Sequence, residues 1–282
     1  MSEILQYDFM RHALMVGLLV SIACGIVGTY VVVKRIAFIS GAISHTAYGG
    51  VGLGYLLGIP PMAGATVFTV AAALAMGEVS HRSKQREDTI IGMMWAVGMA
   101  LGVIFVKLSP GYTGDLMSYL FGSILAVPLR DLYLILVLDA IIVLAVGLYR
   151  DQFTLVAFDE EYARVIGLKT RFYNQLLLVL IAFTVVVMIR AVGIILVIAL
   201  LTIPPATAAL FTRSMNGMMA LSMVLSAVFT TGGLLLFYWF DLPSGAAIII
   251  LSALGFIGAG LLEKLRSRLA ESRSARYSSE SV

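Results

Sequence analysis

Apolar stretches long enough to cross a lipid bilayer recur nine times, at about 10–33, 37–58, 61–78, 89–108, 131–149, 172–189, 191–212, 217–240 and 244–262. A helix needs roughly 20 apolar residues to traverse a hydrocarbon core about 30 Å thick. Backbone polar groups in that core must be satisfied within the segment, which for runs of this length means helices. The pattern predicts an all-α, polytopic membrane protein and excludes a soluble globular domain. Charged residues make up 12% of the chain, against about 25% in soluble domains.

The expected number of transmembrane helices is eight or nine. The seventh span carries Pro204-Pro205, and adjacent prolines predict a helix break there, tolerated where neighbours or a cavity satisfy the freed carbonyls. A tenth apolar piece, 116–127, is short and reads as a half-helix or re-entrant segment. The first span is too long for a cleaved leader and lacks a basic flank, so it is expected to be retained. The expected organisation is one transmembrane domain over 1–265 and a Ser/Arg/Glu-rich, disordered cytosolic tail over 266–282.

Basic residues orient the chain. With the N-terminus outside and the C-terminus inside, fifteen of the 19 Lys and Arg fall on the cytoplasmic side, leaving Arg11, Lys107, Arg130 and Arg190 outside. The positive-inside rule selects that orientation in a cell membrane.

The inner loop between 150 and 171 has its own helical signals. Asp159 suits an N-cap, Glu160 and Glu161 the first turn, and Gly167 a C′ position. A short helix over about 160–166 is expected, with Tyr162, Val165 and Ile166 giving it an apolar side. Such a helix either lies along the membrane interface or docks into a groove of a cytosolic protein.

His45 sits deep in the second span. An ionisable group there is costly, so a pathway role competes with a neutral histidine bonded to a neighbouring helix. Imidazole is a common ligand of first-row metals. Asp139, mid-span, is either an interhelical contact or a pathway ligand, and Asp115, at the outer face, either caps a helix or draws cations to an entrance. Cys24 is the one cysteine, so neither an intrachain disulfide nor a cysteine-rich metal site can form. The glycines at 49, 50, 52 and 54 lack the Gly-Lys-Ser/Thr ending of a phosphate loop and instead permit close helix contact.

Five stretches then occur in a telling order. They are Val31-Val-Val-Lys-Arg35 leading into Ile43-Ser-His45-Thr-Ala-Tyr-Gly-Gly50, and Asp115-Leu-Met-Ser-Tyr-Leu-Phe-Gly-Ser-Ile-Leu125. Phe158-Asp-Glu-Glu-Tyr-Ala-Arg-Val-Ile-Gly-Leu168 follows, then Val192-Gly-Ile-Ile-Leu-Val-Ile-Ala-Leu-Leu-Thr-Ile-Pro-Pro-Ala-Thr-Ala208, then Asp241-Leu-Pro-Ser-Gly245. Together they resemble the permease subunit of the zinc/manganese/iron ABC importers. The resemblance implies an ABC type II importer-like permease fold, a homodimer, two copies of a separate ATP-binding cassette subunit, and an extracellular or periplasmic metal-binding protein that delivers the ion.

It also implies that His45 is a transit ligand and that the stretch containing Asp159, Glu160, Tyr162, Ala163, Val165 and Gly167 couples to the ATPase. Many members carry an Asp one turn before this histidine; here that position is Gly41. The expected cargo is a divalent transition-metal ion, zinc first, with manganese and iron as alternatives. No resident cofactor, no nucleic-acid partner and no covalent chemistry are expected. A permease of the same fold for a siderophore or cobalamin, and a stand-alone secondary transporter, are the competing readings. The second of these predicts more ionisable residues at the midplane.

Overall fold

The apolar spans fold as helices, and no strand occurs among the described residues. The structure, a computed structural model, describes residues 7–82, 87–110, 117–122 and 124–280. In order these form α1 (Asp8–Val33), α2 (Ala37–Leu57), α3 (Pro61–Arg82), α4 (Glu87–Leu108), α5 (Met117–Phe121), a 3₁₀ turn (Ile124–Ala126), α6 (Leu129–Leu148), α7 (Arg150–Phe158), α8 (Glu160–Val165), α9 (Thr170–Phe211), α10 (Met215–Phe240) and α11 (Ser244–Glu280).

Among the described residues, eight helical stretches are long and apolar enough to cross a membrane, two of them within α9. Outward faces of α6 and α11 are apolar, with Leu136, Val137, Leu144, Ile250, Leu254 and Ile257 exposed, as a lipid-facing surface requires. The ninth candidate, α2, is the exception in composition. Its glycines, serines and histidine lower its hydropathy, yet its 21 residues span about 30 Å. It is sheltered between α3, α4 and α9, and most of its residues are buried. The least apolar crossing thus lies inside the others.

Continuity of α9 corrects the expected helix break. Pro204 and Pro205 lie within unbroken helix, and the non-helical backbone is at Gly193 (φ 79°, ψ 160°). Pro205 has no N–H for the Leu201 carbonyl. Helix α1 closes over that gap: a Cβ on Gly28 would stand 2.5 Å from Leu201 O and 2.8 Å from Pro205 Cγ. Hydroxyls reinforce the same turns, Thr202 donating to Ile198 O and Thr207 to Ile203 O, each at 2.8 Å.

At Gly193 the backbone adopts a conformation open essentially to glycine alone. A Cβ there would collide with the backbone of Phe121 and Gly122 at the end of α5. The short apolar segment is thereby seated on the break, against α9 and α1, as a partial insertion and not a crossing. The two arms of α9 return to one face. Asn174 bonds to Lys34 at the end of α1, and Leu201 lies beside Gly28, less than two turns from Lys34.

The loop after α6 holds more helix than its sequence signals indicate. Before α8, α7 packs Phe153 and Val156 inward, with the Phe153 ring against Tyr30, Tyr149 and Tyr173 at centroid distances of 5.6, 6.3 and 6.0 Å. Helix α8 is closed at both ends. Asp159 accepts from Tyr162 N at 2.8 Å. At the other end Gly167 (φ 86°) permits Gly167 N→Arg164 O and Leu168 N→Ala163 O, both 3.0 Å, the paired bonds of a Schellman motif.

No change in backbone marks the expected boundary at 265/266. Helix α11 runs on to Glu280, because neither Gly nor Pro follows Gly260 and the stretch is rich in Leu, Ala, Arg and Glu. The tail expected to be disordered is helical over 266–280.

Candidate functional site

Helix α2 carries His45 into the interior by packing closely on α4. At Gly52 a Cβ would stand 2.5 Å from Gly102 O, and at Gly98 one would stand 2.8 Å from Thr46 Cγ2. Small residues at such contacts let helix backbones approach in a membrane. This approach brings Trp95 of α4 onto His45. The two rings stack with centroids 4.1 Å apart and planes 18° from parallel. Gly41, one turn earlier, leaves room for the indole: a Cβ there would be 3.2 Å from Trp95 Cζ3. Stacked aromatic pairs contribute about 1 kcal/mol beyond the area they bury.

His45 Nδ1 is buried and has no hydrogen-bond partner among the described residues. Buried polar atoms are nearly always satisfied, and Nδ1 shares its lack of a partner with Tyr30 Oη, Thr69 Oγ1, Ser222 Oγ, Ser226 Oγ and both Asp139 oxygens. Among the described residues no group of three or more His, Cys, Asp or Glu is arranged to hold a metal ion. What His45 offers is a single nitrogen donor on a sheltered helix, with Trp95 on one ring face.

Asp139 lies elsewhere. It is buried on α6 with Ile135, Leu138 and Ile142, on the helix that packs against α1 and α9. Its two carboxylate oxygens have no hydrogen-bond partner among the described residues. His45 and Asp139 lie on different helices, α2 packed on α3, α4 and α9, and α6 on α1, α9 and α7. Asp115 lies outside the described residues. Glu78, near the end of α3, pairs with Arg171 at the start of α9. Cys24 is buried, its sulfur 3.7 Å from Met188 Sδ.

The residues of 159–167 form one corner of the molecule. Tyr162, Val165 and Ile166 are exposed, Val165 at 83%, whereas Ala163 is fully buried. Ala163 therefore faces the bundle, and a surface offered to another protein here consists of Tyr162, Val165 and Ile166. Glu160 pairs with Arg164 at 3.2 Å and lies 4.0 Å from Lys34 Nζ. Lys34 also donates to Val156 O at 3.2 Å and Asn174 Oδ1 at 2.8 Å. Burial lowers the Lys34 pKa from the ordinary lysine value, and Glu160 opposes that shift.

Trp95 and Lys34 are the residues of these two places that sequence patterns miss. Trp95 is one of two tryptophans and sits within an apolar span, where ring contact is invisible. Lys34 registers there only as a charge at a helix end.

Membrane-length helices wrapped around a more polar one, with a separately capped helix at one face, define a multi-pass membrane protein. Residues 6–263 match the ABC 3 transport family, to which the chain belongs: it is an ABC-transporter permease, not an enzyme. It is 45% identical over 257 residues to an uncharacterised membrane protein of Synechocystis sp., covering 91% of this chain and 92% of that one. It is 34% identical over 261 residues to a manganese transport system membrane protein of Listeria monocytogenes, covering 93% of each. Among solved structures it resembles PsaBC from Streptococcus pneumoniae in complex with Fab, at TM-score 0.82 and 32% identity, covering 92% of this chain and 93% of that one.

Proposed function

We propose that this permease moves a divalent first-row transition-metal ion into the cytoplasm, with His45 as a transit ligand. The observation that carries the reading is the buried, unpartnered Nδ1 of His45 on the most sheltered crossing helix. Transport requires a donor set weak enough to release the ion, and one imidazole completed by water, carbonyls or hydroxyls meets that need. Names of relatives support a metal cargo, manganese in the Listeria protein. Zinc is the first choice because the side-chain donor proposed here is an imidazole, which suits zinc, while the water and carbonyl oxygens that complete the set also suit manganese. Manganese is the second reading, favoured by the relative's name, and iron the third.

In this proposal the permease works as a homodimer with two copies of a separate ATPase and an external metal-binding protein. The face bearing Lys34, Arg171 and α8 is cytoplasmic, which puts the N-terminus outside and the C-terminus inside. Helix α8 meets the ATPase through Tyr162, Val165 and Ile166, an amphipathic surface seated in a groove. ATP hydrolysis then switches the bundle between outward- and inward-facing arrangements.

Uptake of radioactive zinc and manganese by proteoliposomes holding the complete transporter tests the reading. His45→Ala should abolish most uptake while assembly with the ATPase stays normal. Unchanged uptake by an assembled His45→Ala transporter overturns the role of His45, and uptake of neither metal nor iron by the unaltered protein overturns the cargo.

A further inference from the structure

Gly41, His45 and Trp95 fit each other in a way that a ligand role for His45 does not by itself require. The indole covers one face of the imidazole at 4.1 Å. It reaches that position because residue 41 has no side chain: a Cβ would come 3.2 Å from Cζ3, tighter than ordinary contact. Trp95 is half-buried on α4 and packs against the main apolar core. The imidazole thus lies between its own helix and the indole ring.

Metal coordination uses the nitrogen lone pairs, which lie in the plane of the imidazole ring. A plate on one face leaves the ring edge open but restricts rotation of the ring out of that plane. Groups that fix a ligating histidine's orientation ordinarily do so by hydrogen bonding to its second nitrogen. Nδ1 has no hydrogen-bond partner among the described residues, and the stacked indole is a contact able to orient the ring whichever nitrogen meets the ion. The same ring fills the space beside Gly41, one turn away on the same helix face, so position 41 supplies no second side-chain donor next to His45.

We propose that Trp95 is the positioning residue of the ion pathway, stacking on His45 in the space left by Gly41 to fix the imidazole plane, so that this wall offers a divalent transition-metal ion one nitrogen donor. The proposal rests on His45 being a transit ligand. Trp95 does not touch the ion; it sets the ion's affinity through the ring that does. The arrangement favours ions that accept a lone nitrogen donor with water over those needing a carboxylate beside it.

The test uses the complete transporter with Trp239→Phe, which leaves Trp95 as the sole tryptophan of each permease chain, and the same transporter carrying Trp95→Phe as well supplies the emission background of the other subunits. Titration with Co²⁺, a paramagnetic quencher, should quench Trp95 emission saturably, and His45→Ala should remove the saturable part. In zinc uptake, Trp95→Ala should raise KM about tenfold, the scale seen when groups orienting metal ligands are removed, while the maximal rate stays within about twofold. Trp95→Phe, which keeps a ring, should restore most of the loss, and Gly41→Val should mimic Trp95→Ala by displacing the indole. If His45→Ala impairs uptake but Trp95→Ala and Gly41→Val keep the original KM, the positioning role is overturned and the ligand role stands. If His45→Ala has no effect on uptake, both fall. Absence of saturable quenching overturns the stacked geometry without relying on any variant at position 95.

Discussion

Lys34 Nζ donates to Asn174 Oδ1 at 2.8 Å, joining the end of α1 to the start of α9. The same ammonium reaches Val156 O of α7 and the carboxylate of Glu160 on α8. One largely buried charge thus ties four helix ends together. Lys34→Met keeps the stem and removes these bonds, which for a charged donor are worth about 2 kcal/mol, partly offset by relief of desolvation. Amide hydrogen exchange in α8 should accelerate, and the ratio of metal transported to ATP hydrolysed should fall. Unchanged exchange would show that α8 is held by its caps alone.

Two neighbouring positions on α8 should fail in different ways. Val165 is 83% exposed and Ala163 fully buried. Val165→Glu should leave the permease folded and monodisperse in detergent while weakening its association with the ATPase. Ala163→Glu buries a charge without a partner, a change that destabilises by several kcal/mol, and should lower the permease melting temperature itself. Size-exclusion chromatography and thermal melting of the isolated permease separate the outcomes.

Helix α1 lies on α9 at a distance that only Gly28 allows. A Cβ would meet Leu201 O at 2.5 Å and Pro205 Cγ at 2.8 Å, neither the free end of a flexible side chain. Gly28→Val should force the helices apart and cost about 1–3 kcal/mol, as overpacking does, read as a drop in melting temperature in detergent. An unshifted melting curve would mean that α1 and α9 separate without cost there.

The sequence reading and the structure agree where a local signal has a local cause. The caps of α8, Asp159 and Gly167, are chemical requirements of a helix end, so residue type and spacing were enough. The apolar spans follow from bilayer thickness. The bend in α9 falls beside the expected boundary between the spans 172–189 and 191–212, but the further break expected at Pro204-Pro205 does not occur, because its outcome depends on α1 covering the Leu201 carbonyl, a tertiary fact. Gly193, one glycine among 27, gives no sign that α5 will press against it. Trp95 likewise acquires meaning only once α4 packs on α2. Position 41 was legible as a missing side chain, but what fills its space was not.

Gly193 also makes α9 a lever. Its first arm begins beside α8 and ends, about 35 Å away, at the one non-helical residue, where Phe121 and Gly122 lie against the joint. A tilt of about 10° about that pivot would swing the Thr170 end by roughly 6 Å, about one helical turn. The second arm hangs from the same pivot and is clasped by α1 at Gly28. A push delivered next to α8 would thus turn the first arm about a joint at its far end, where α5 rests, and the second arm leads from that joint back toward the α8 side.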